Sequence, residues 1–405
     1  MVTNNEQNKL NVPHLRFPEF EEEWNIKTLG SLSKGIGDGI HATPIYDDNG
    51  SYYFINGNNL SERGINISEA TKRVSKEEAY KNNAAILNDR TILLSINGTI
   101  GNVALYNNEP IMLGKSACFI NVSPHINKPY VYHYLQTNKC QTYFKSELTG
   151  TTIKNLSLQS VRNAKIALPS IYEQNRIAKL LDVIDERIAT QSKLIEKLES
   201  LIKGIMVELQ KQGVNKGTWK KVFLSDVLTE RNERNTNLFQ VFSVSVSQGV
   251  VNQVDYLGRS FAAKDTSKYN VVHYGDLVYT KSPTGSFPYG IVKQSLSLEN
   301  VAVSPLYGVY KPQSLAVGAY LHEYFMSEIN THNYLHPLIQ KGAKNTINIT
   351  NQRFLENCVL LPTNINELLL ISKMLRSLND KFKYQQDTLQ KYQKQKKYLL
   401  RQMFI

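Results

Sequence analysis

Few side chains in this sequence have the types and spacing that chemistry requires. His332 and His336 stand four positions apart, as two metal ligands on one helical turn would, but Pro337 follows at once. We therefore interpret them as a surface or structural pair. The three cysteines, Cys118, Cys140 and Cys358, have no CxxC spacing and form an odd set. A zinc site or a disulfide framework is not expected from such a set, and no metal is predicted.

Motifs for nucleotide or methyl-group chemistry are missing as well. Gly114-Lys115 lacks the upstream glycine of a phosphate-binding loop, and no two prolines are adjacent, which excludes the NPP(F/Y) and DPPY motifs of amino-methyltransferases. Gly35, Gly37 and Gly39 have the spacing of a dinucleotide fingerprint but open no apolar helix, so we expect a flexible loop there. The sequence predicts a binding protein without a cofactor or catalytic residues.

The charge of the chain points to the class of partner. Its formal net charge is +12, and phosphate neutralisation by lysine and arginine supplies much of the affinity of proteins for nucleic acid. The alternative is that the charge serves solubility alone. No apolar run approaches 18 residues and the polar start MVTNNEQNK is unlike a signal peptide, so we expect a cytoplasmic protein without a membrane partner.

The second notable feature is an internal duplication of the sequence. Trp24 and Trp219 lie 195 positions apart, each five residues before a leucine. A second repeated segment is LPSIYEQNRIAKLL, which begins at Leu168 and matches LPTNINELLLISKML, which begins at Leu361. The glutamates of the two segments, Glu173 and Glu367, lie 194 positions apart. A period this long indicates a duplicated domain followed by a duplicated helix, because solenoid units span only some tens of residues.

Each repeat begins with short β-rich runs and continues into a helical period. Predicted strands lie at 52–55, 91–96 and 118–122 in the first repeat, and near 240–247, 276–280 and 307–310 in the second; predicted helices lie at 130–145 and 317–329. A helix from about Tyr172 to Leu209, ended by Gly213, and a second one towards the C-terminus carry wide apolar stripes that we expect to pack together. The segment 171–211 has seven basic and seven acidic residues, whereas 371–405 has nine basic and two acidic ones.

Polar loops in both repeats offer groups that could contact DNA. Arginine and lysine suit guanine, asparagine and glutamine suit adenine, and hydroxyls suit phosphates. The alternative for each residue is a solvated loop. The candidates are Ser95, Asn97, Thr99, Lys115, Thr151 and Lys154 in the first repeat, and Arg231, Arg234, Lys281, Ser282, Thr284, Lys341, Lys344 and Asn345 in the second.

The opening NVPHLRFPEFEEEW, the segment LPSIYEQNRIA and the duplication resemble the specificity subunits of bacterial type I restriction–modification systems. The resemblance implies two target recognition domains that read a split DNA sequence. It also implies an antiparallel coiled coil that docks two methyltransferase (M) subunits, with two restriction motor–nuclease (R) subunits joining. The sequence departs from the pattern where Leu368 replaces the glutamine of Glu173-Gln174.

The expected fold is α+β, with two mixed target recognition domains, two long helices and an internal pseudo-twofold duplication. We predict the first recognition domain at 1–170, a spacer helix at 171–213, the second domain at 214–362 and a second spacer helix at 363–405. The predicted function is noncatalytic recognition of double-stranded DNA. The alternatives are a self-contained DNA modification enzyme or nuclease with an unrecognised active site, and a structural coiled-coil adaptor.

Overall fold

A computed structural model of the chain describes residues 11–61, 64–82, 84–150, 154–341 and 347–405. The backbone forms two compact units. The first unit comprises the described part of Met1–Lys193 together with Gln386–Ile405, and the second is Leu194–Gln385. The first unit is therefore assembled from two distant segments of the chain.

Strands and short helices alternate in the first unit. Its strands are β1 (Asn25–Thr28), β2 (Ser33–Asp38), β3 (Tyr52–Ile55), β4 (Leu60–Ser61), β5 (Gly64–Ile65), β6 (Arg73–Val74), β7 (Thr91–Ser95), β8 (Val103–Leu105), β9 (Ile111–Leu113), β10 (Ala117–Val122), β11 (Leu148–Thr149), β12 (Asn155–Leu156) and β13 (Lys165–Leu168). Its helices are α1 (Lys76–Lys81), α2 (Lys128–Leu135), α3 (Asn138–Ser146), α4 (Leu158–Asn163) and the beginning of α5 (Ile171–Asn215).

The second unit repeats this order. Its strands are β14 (Trp219–Phe223), β15 (Leu228–Glu230), β16 (Phe242–Ser245), β17 (Gly249–Asn252), β18 (Asn270–Val272), β19 (Leu277–Tyr279), β20 (Val292–Gln294), β21 (Val301–Val303), β22 (Gly308–Pro312), β23 (Gln340–Lys341), β24 (Ile347–Asn348) and β25 (Cys358–Pro362). Its helices are α6 (Leu224–Val227), α7 (Gln253–Leu257), α8 (Leu315–Tyr324), α9 (Glu328–Leu335), α10 (Asn351–Phe354) and the beginning of α11 (Ile365–Gln402).

The sheets confirm the duplication that the sequence predicts. A four-stranded antiparallel sheet has the order β2-β10-β7-β8 in the first unit and β15-β22-β19-β20 in the second. In both units the strand that starts the repeat pairs with the strand that precedes the long helix, as β1 with β13 and β14 with β25. Two helices and a two-stranded ribbon follow the sheet in each case. The α+β fold with internal duplication is thus confirmed.

The two long helices each contribute to both units. In the first unit, Ile177 and Leu181 from the beginning of α5 share one apolar core with Leu399 and Met403 from the end of α11. In the second, Met206 near the end of α5 shares a core with residues from the beginning of α11: Leu368, Ile371 and Leu375. Within each unit the beginning of one helix therefore meets the end of the other, which is an antiparallel pairing.

Three details of the predicted helices are wrong. The predicted helix at 130–145 is two helices, because the Thr137 side chain accepts a hydrogen bond from the backbone N–H of Cys140 and starts α3. The predicted helix at 317–329 breaks in the same way at Ser327, which caps α9. Gly213 does not end α5. A Cβ there would lie 1.9 Å from the Trp219 indole, so this glycine permits close packing, and the helix ends two residues later, before the left-handed Gly217 (φ +68°).

Gly35 and Gly37 lie in β2, paired with β10, and not in a flexible loop. A Cβ at Gly37 would lie 2.8 Å from the Phe119 ring, and one at Gly39 would lie 1.9 Å from the Leu113 carbonyl oxygen. The three glycines therefore belong to a strand and its end, where two of them accommodate close neighbours. This placement leaves no dinucleotide turn. No helix in the described part of the chain is long and apolar enough to cross a bilayer.

Candidate nucleic-acid interface

Three polar segments singled out in the first repeat meet at one end of its sheet. The backbone N–H of Ile96 donates to the Ser116 carbonyl (3.0 Å), and the N–H of Leu156 donates to the Ile96 carbonyl (2.9 Å). An antiparallel bridge joins Asn97 to Asn155. The turn after β7, the turn before β10 and the strand β12 therefore form one continuous polar surface, which we call the first polar surface.

The candidate side chains on this surface differ in their availability. Ser95 is fully buried and its hydroxyl donates to the Asn97 carbonyl (3.0 Å), so it supports the turn. The Thr99 hydroxyl donates to the Gly57 carbonyl (2.7 Å). Asn97 is half-buried, and its side-chain oxygen has no hydrogen-bond partner among the described residues. Lys115 and Lys154 are exposed, and Thr151 lies outside the described residues.

A fourth segment of the first polar surface, the asparagine turn (Asn56–Asn59), is not among the candidates predicted from the sequence. The backbone N–H of Gly57 donates to the Ser116 hydroxyl (2.8 Å), which in turn donates to the Asn56 side-chain oxygen (2.9 Å). Asn58 is exposed. The run INGNN could have indicated this turn, because side-chain amides are the groups that read adenine. Its proximity to Ser116 depends on a contact across 60 positions of the chain, which no local pattern predicts.

In the second unit, the turn after β19 carries three candidates. Thr284 and Phe287 exchange backbone hydrogen bonds (3.1 and 3.0 Å) around Gly285, which has φ +55°. Its counterpart in the first unit, Gly98, is also left-handed, with φ +72°. Ser282 is exposed and Lys281 is half-buried. Burial lowers the pKa of Lys281, and the nearby Glu230 carboxylate opposes this shift.

The two arginine candidates of the second unit have intramolecular partners. Arg231 makes two bonds to the Asp276 carboxylate, at 2.6 and 3.0 Å, and Asp276 is almost fully buried. Arg234 donates to the Lys268 carbonyl (3.0 Å) and to the Asn270 side-chain oxygen (2.5 Å). Arg231 is thus held by a buried carboxylate, and Arg234 links its own segment to the segment 268–270.

The last three candidates lie in or near β23. Lys341 pairs with Ile347 in the ribbon β23–β24, and its position in the repeat matches that of the β11–β12 ribbon in the first unit. Lys344 and Asn345 lie outside the described residues. These positions remain predictions.

His332 and His336 are exposed and make aromatic ring contacts. The rings of His332 and His336 stack 5.2 Å apart, and both contact the Tyr289 ring. Among the described residues, no group of three or more histidine, cysteine and acidic side chains is arranged to hold a metal ion. The pair is a surface aromatic contact.

The repeated tryptophan and glutamate meet at the start of each long helix. The Trp24 indole donates to Glu173 (3.2 Å), and the Trp219 indole donates to Glu367 (2.9 Å). In the first unit the Arg16 guanidinium also binds Glu173 through two bonds of 2.8 Å. These contacts fasten the beginning of each repeat to its helix.

The departure at Leu368 changes the chemistry of this junction. In the first unit the Gln174 side chain accepts from the backbone N–H of Asn127 (3.0 Å) and donates to the Pro169 carbonyl (2.9 Å). Leu368 instead lies in the apolar core of the second unit. The second junction therefore replaces a buried polar link with hydrophobic packing.

Comparison with known proteins agrees with this architecture. Residues 21–200 match the family model of the type I restriction modification DNA specificity domain. This match confirms that the chain resembles type I specificity subunits. The chain is 28% identical over 216 residues to the type I restriction enzyme MjaVIII specificity subunit of Methanocaldococcus jannaschii, covering 52% of this chain and 46% of that protein. It is 30% identical over 174 residues to a putative type I specificity subunit of Mycoplasma pneumoniae, covering 43% and 42%. The matched regions span about half or less of these relatives.

The fold is shared over nearly the whole chain. The crystal structure of a type I restriction–modification S subunit from M. genitalium superposes with a TM-score of 0.65 at 15% identity, covering 97% of this chain and 99% of that one. At this identity the likeness concerns the fold alone.

Proposed function

We propose that this chain is the noncatalytic DNA-recognition subunit of a type I restriction–modification complex. Its two target recognition domains would each read one part of a bipartite target in double-stranded DNA. The observation that carries the proposal is the duplication of one α+β unit with different polar side chains in each copy, together with the specificity-domain match in the first. Two rigid modules of different surface can read two half-sites of different sequence.

The first polar surface supplies both kinds of contact that recognition requires. Lys115 and Lys154 are exposed cations suited to phosphates, which position a protein on the duplex. The exposed amide of Asn58 is suited to the adenine edge in the major groove. The side-chain oxygen of Asn97 is buried and has no hydrogen-bond partner among the described residues, so we assign it an ordered water as donor.

In the second unit we assign DNA contact to the turn after β19, with Lys281, Ser282 and Thr284, and to the β23–β24 ribbon. Arg231 and Arg234 are assigned a positioning role instead, because each guanidinium group already binds residues of its own unit. Ser95 is likewise a supporting residue because it is buried.

The proposed partners besides DNA are methyltransferase (M) subunits and restriction motor–nuclease (R) subunits, two of each. The long helices are the natural docking elements because they belong to both units. The segment 371–405, with nine basic and two acidic residues, favours an acidic partner surface or the DNA backbone.

Methylome sequencing of cells that express this chain with a cognate methyltransferase tests the proposal. We expect an interrupted motif of two defined parts with methylated adenine on each strand. A continuous short palindrome would argue against two independent readers. The alternative, a self-contained enzyme, predicts methyl transfer from AdoMet to DNA by the purified chain alone. A structural adaptor predicts no salt-dependent DNA binding.

A further inference from the structure

The two units contain equivalent tyrosines near the long helices. The contacts of these tyrosines show which positions of the two units correspond. The hydroxyls of Tyr130 and Tyr320 donate to backbone carbonyls of the strand before the helix, at Ala167 (2.6 Å) and Leu360 (3.0 Å). Each ring also meets the tryptophan of its repeat edge-on, at 6.3 and 6.0 Å. Positions 190 apart in this part of the chain are therefore equivalent, and His133 corresponds to Glu323.

In the first unit, the fully buried His133 faces two acids of α5. Its Nε2 lies 2.8 Å from Asp182 Oδ1, and its Nδ1 lies 3.9 Å from Asp185 Oδ2. Asp185 also binds the Lys396 ammonium at 2.7 Å. We call His133, Asp182 and Asp185 the first docking contact.

In the second unit, the buried Glu323 faces α11 and accepts a hydrogen bond from the Asn379 side chain. Burial raises the pKa of Glu323 to about 7, against the opposing effects of Asn379, Arg376 and Lys293. The Arg376 guanidinium also donates to Gln294 Oε1 (3.2 Å). We call Glu323, Arg376 and Asn379 the second docking contact.

The helix sides of the two contacts are equivalent positions with opposite polarity. The offset of 194 that relates Glu173 to Glu367 also relates Asp182 to Arg376 and Asp185 to Asn379. The first contact places a histidine of the domain against two helix aspartates. The second places a domain glutamate against a helix arginine and asparagine.

We propose that these two docking contacts determine which recognition domain docks onto which long helix. Ile177 and Leu181 do not make this choice, because they recur as Ile371 and Leu375. Polar groups that lose their partners on burial are costly, so opposite polarity at equivalent sites excludes the wrong pairing. The inference concerns assembly within the chain and does not depend on DNA binding.

If the two recognition domains exchanged places, each would face the polar helix residues that normally face the other domain. Glu323 would face Asp182 and Asp185, so three carboxylates would gather where Lys293, which moves with its domain, and Lys396 supply two cations. His133 would face Arg376 and lose both of its acidic partners. Each exchange therefore removes the hydrogen-bond partner of a buried side chain, Asn379 from Glu323 and Asp182 from His133.

A cycle of variants in the full-length chain tests the contact itself. Glu323→His alone and the pair Arg376→Asp with Asn379→Asp should each lower the Tm of the second unit by roughly 5 to 10 °C, measured by calorimetry with hydrogen exchange at α8. The triple variant recreates the polarity of the first contact and should recover most of the loss. A triple variant that is as unstable as the sum of its parts would overturn the proposal.

Domain choice is tested with a full chain in which 24–168 and 219–362 are exchanged. With the native helices this chain should be sensitive to limited proteolysis. Adding Asp182→Arg, Asp185→Asn, Arg376→Asp and Asn379→Asp should restore resistance. Resistance without the four helix changes, or no recovery with them, would show that the docking contacts do not select the domain. No DNA enters either assay, so the outcome is independent of the proposed recognition function.

Discussion

Trp24 donates its indole N–H to Glu173 across 149 positions of the chain, and Trp219 does the same to Glu367 across 148. The two residue types that reveal the duplication in the sequence are thus hydrogen-bonded partners in each unit. Each bond fastens the strand that begins a repeat to the helix that follows it.

Glu173→Gln should destabilise the first unit more than Glu367→Gln destabilises the second. Glu173 is buried and neutralises Arg16, so its loss leaves a charge without its partner, at a cost of about 3 kcal/mol. Among the described residues Glu367 accepts only from Trp219, and a glutamine oxygen can replace it, at about 1 kcal/mol. Urea denaturation of both variants measures the difference. Equal losses would mean that Arg16 contributes nothing.

Replacing Lys115 or Lys154 with glutamine should weaken DNA binding nearly uniformly across sequences. Each replacement should reduce the slope of log affinity against log salt by about 1, because one phosphate contact is lost. Lys27→Gln serves as the matched control, since Lys27 is exposed on β1, outside the first polar surface. A change in target sequence with an unaltered slope would indicate base contact by the lysine instead.

The substitution Arg231→Lys tests whether Arg231 positions the loop or contacts DNA. A lysine keeps the charge but not the two-bond geometry to the buried Asp276, so the second unit should lose about 2 kcal/mol. The salt slope of DNA binding should stay the same. A shallower slope with unchanged stability would place Arg231 on a phosphate.

The second unit should show two opposing pH dependences. Burial raises the pKa of Glu323 from 4.5 to about 7, so its contribution to stability is present at low pH and is lost as pH rises through 7. Burial lowers the pKa of His322 from 6.5 to about 3, so its contribution is present above 6.5 and is lost as pH falls towards 3. The slopes oppose each other between pH 4.5 and 6.5.

Single substitutions should reveal each of the two dependences of stability on pH. Glu323→Gln should leave stability rising with pH across that window, and His322→Asn should leave it falling, each by at most about 1.4 kcal/mol per pH unit. Denaturant midpoints at several pH values provide the measurement. Parallel curves for the wild type and both variants would contradict the assignment.

Replacing Trp219–Pro362, the strand-bounded core of the second unit, with the matching segment of a relative should change one half of the methylated motif only. The reason is that each unit has its own apolar core. The predicted boundaries at 170, 213 and 362 are tested in the same experiment by the soluble yield of exchanges made there. An exchange that altered both halves would mean that the readers are not independent.

Local patterns in the sequence predicted the duplication and the long helices because apolar period and repeated residue types survive in both copies. They missed the breaks at Thr137 and Ser327, since each cap interrupts an apolar period that continues on both sides. They also misjudged Gly35 and Gly37, whose role depends on the distant Phe119. The candidate loops were found by residue type, whereas their meeting around Ser116 depends on long-range contacts.

The core of the first unit has a consequence for the order of folding. Trp24 packs edge-on against Phe404, and Leu399, Leu400 and Met403 are buried in the same core. When the whole first repeat has emerged from the ribosome, these C-terminal residues have not yet been synthesised. The domain synthesised first is therefore completed last, and until then its unfilled core offers an apolar surface to chaperones.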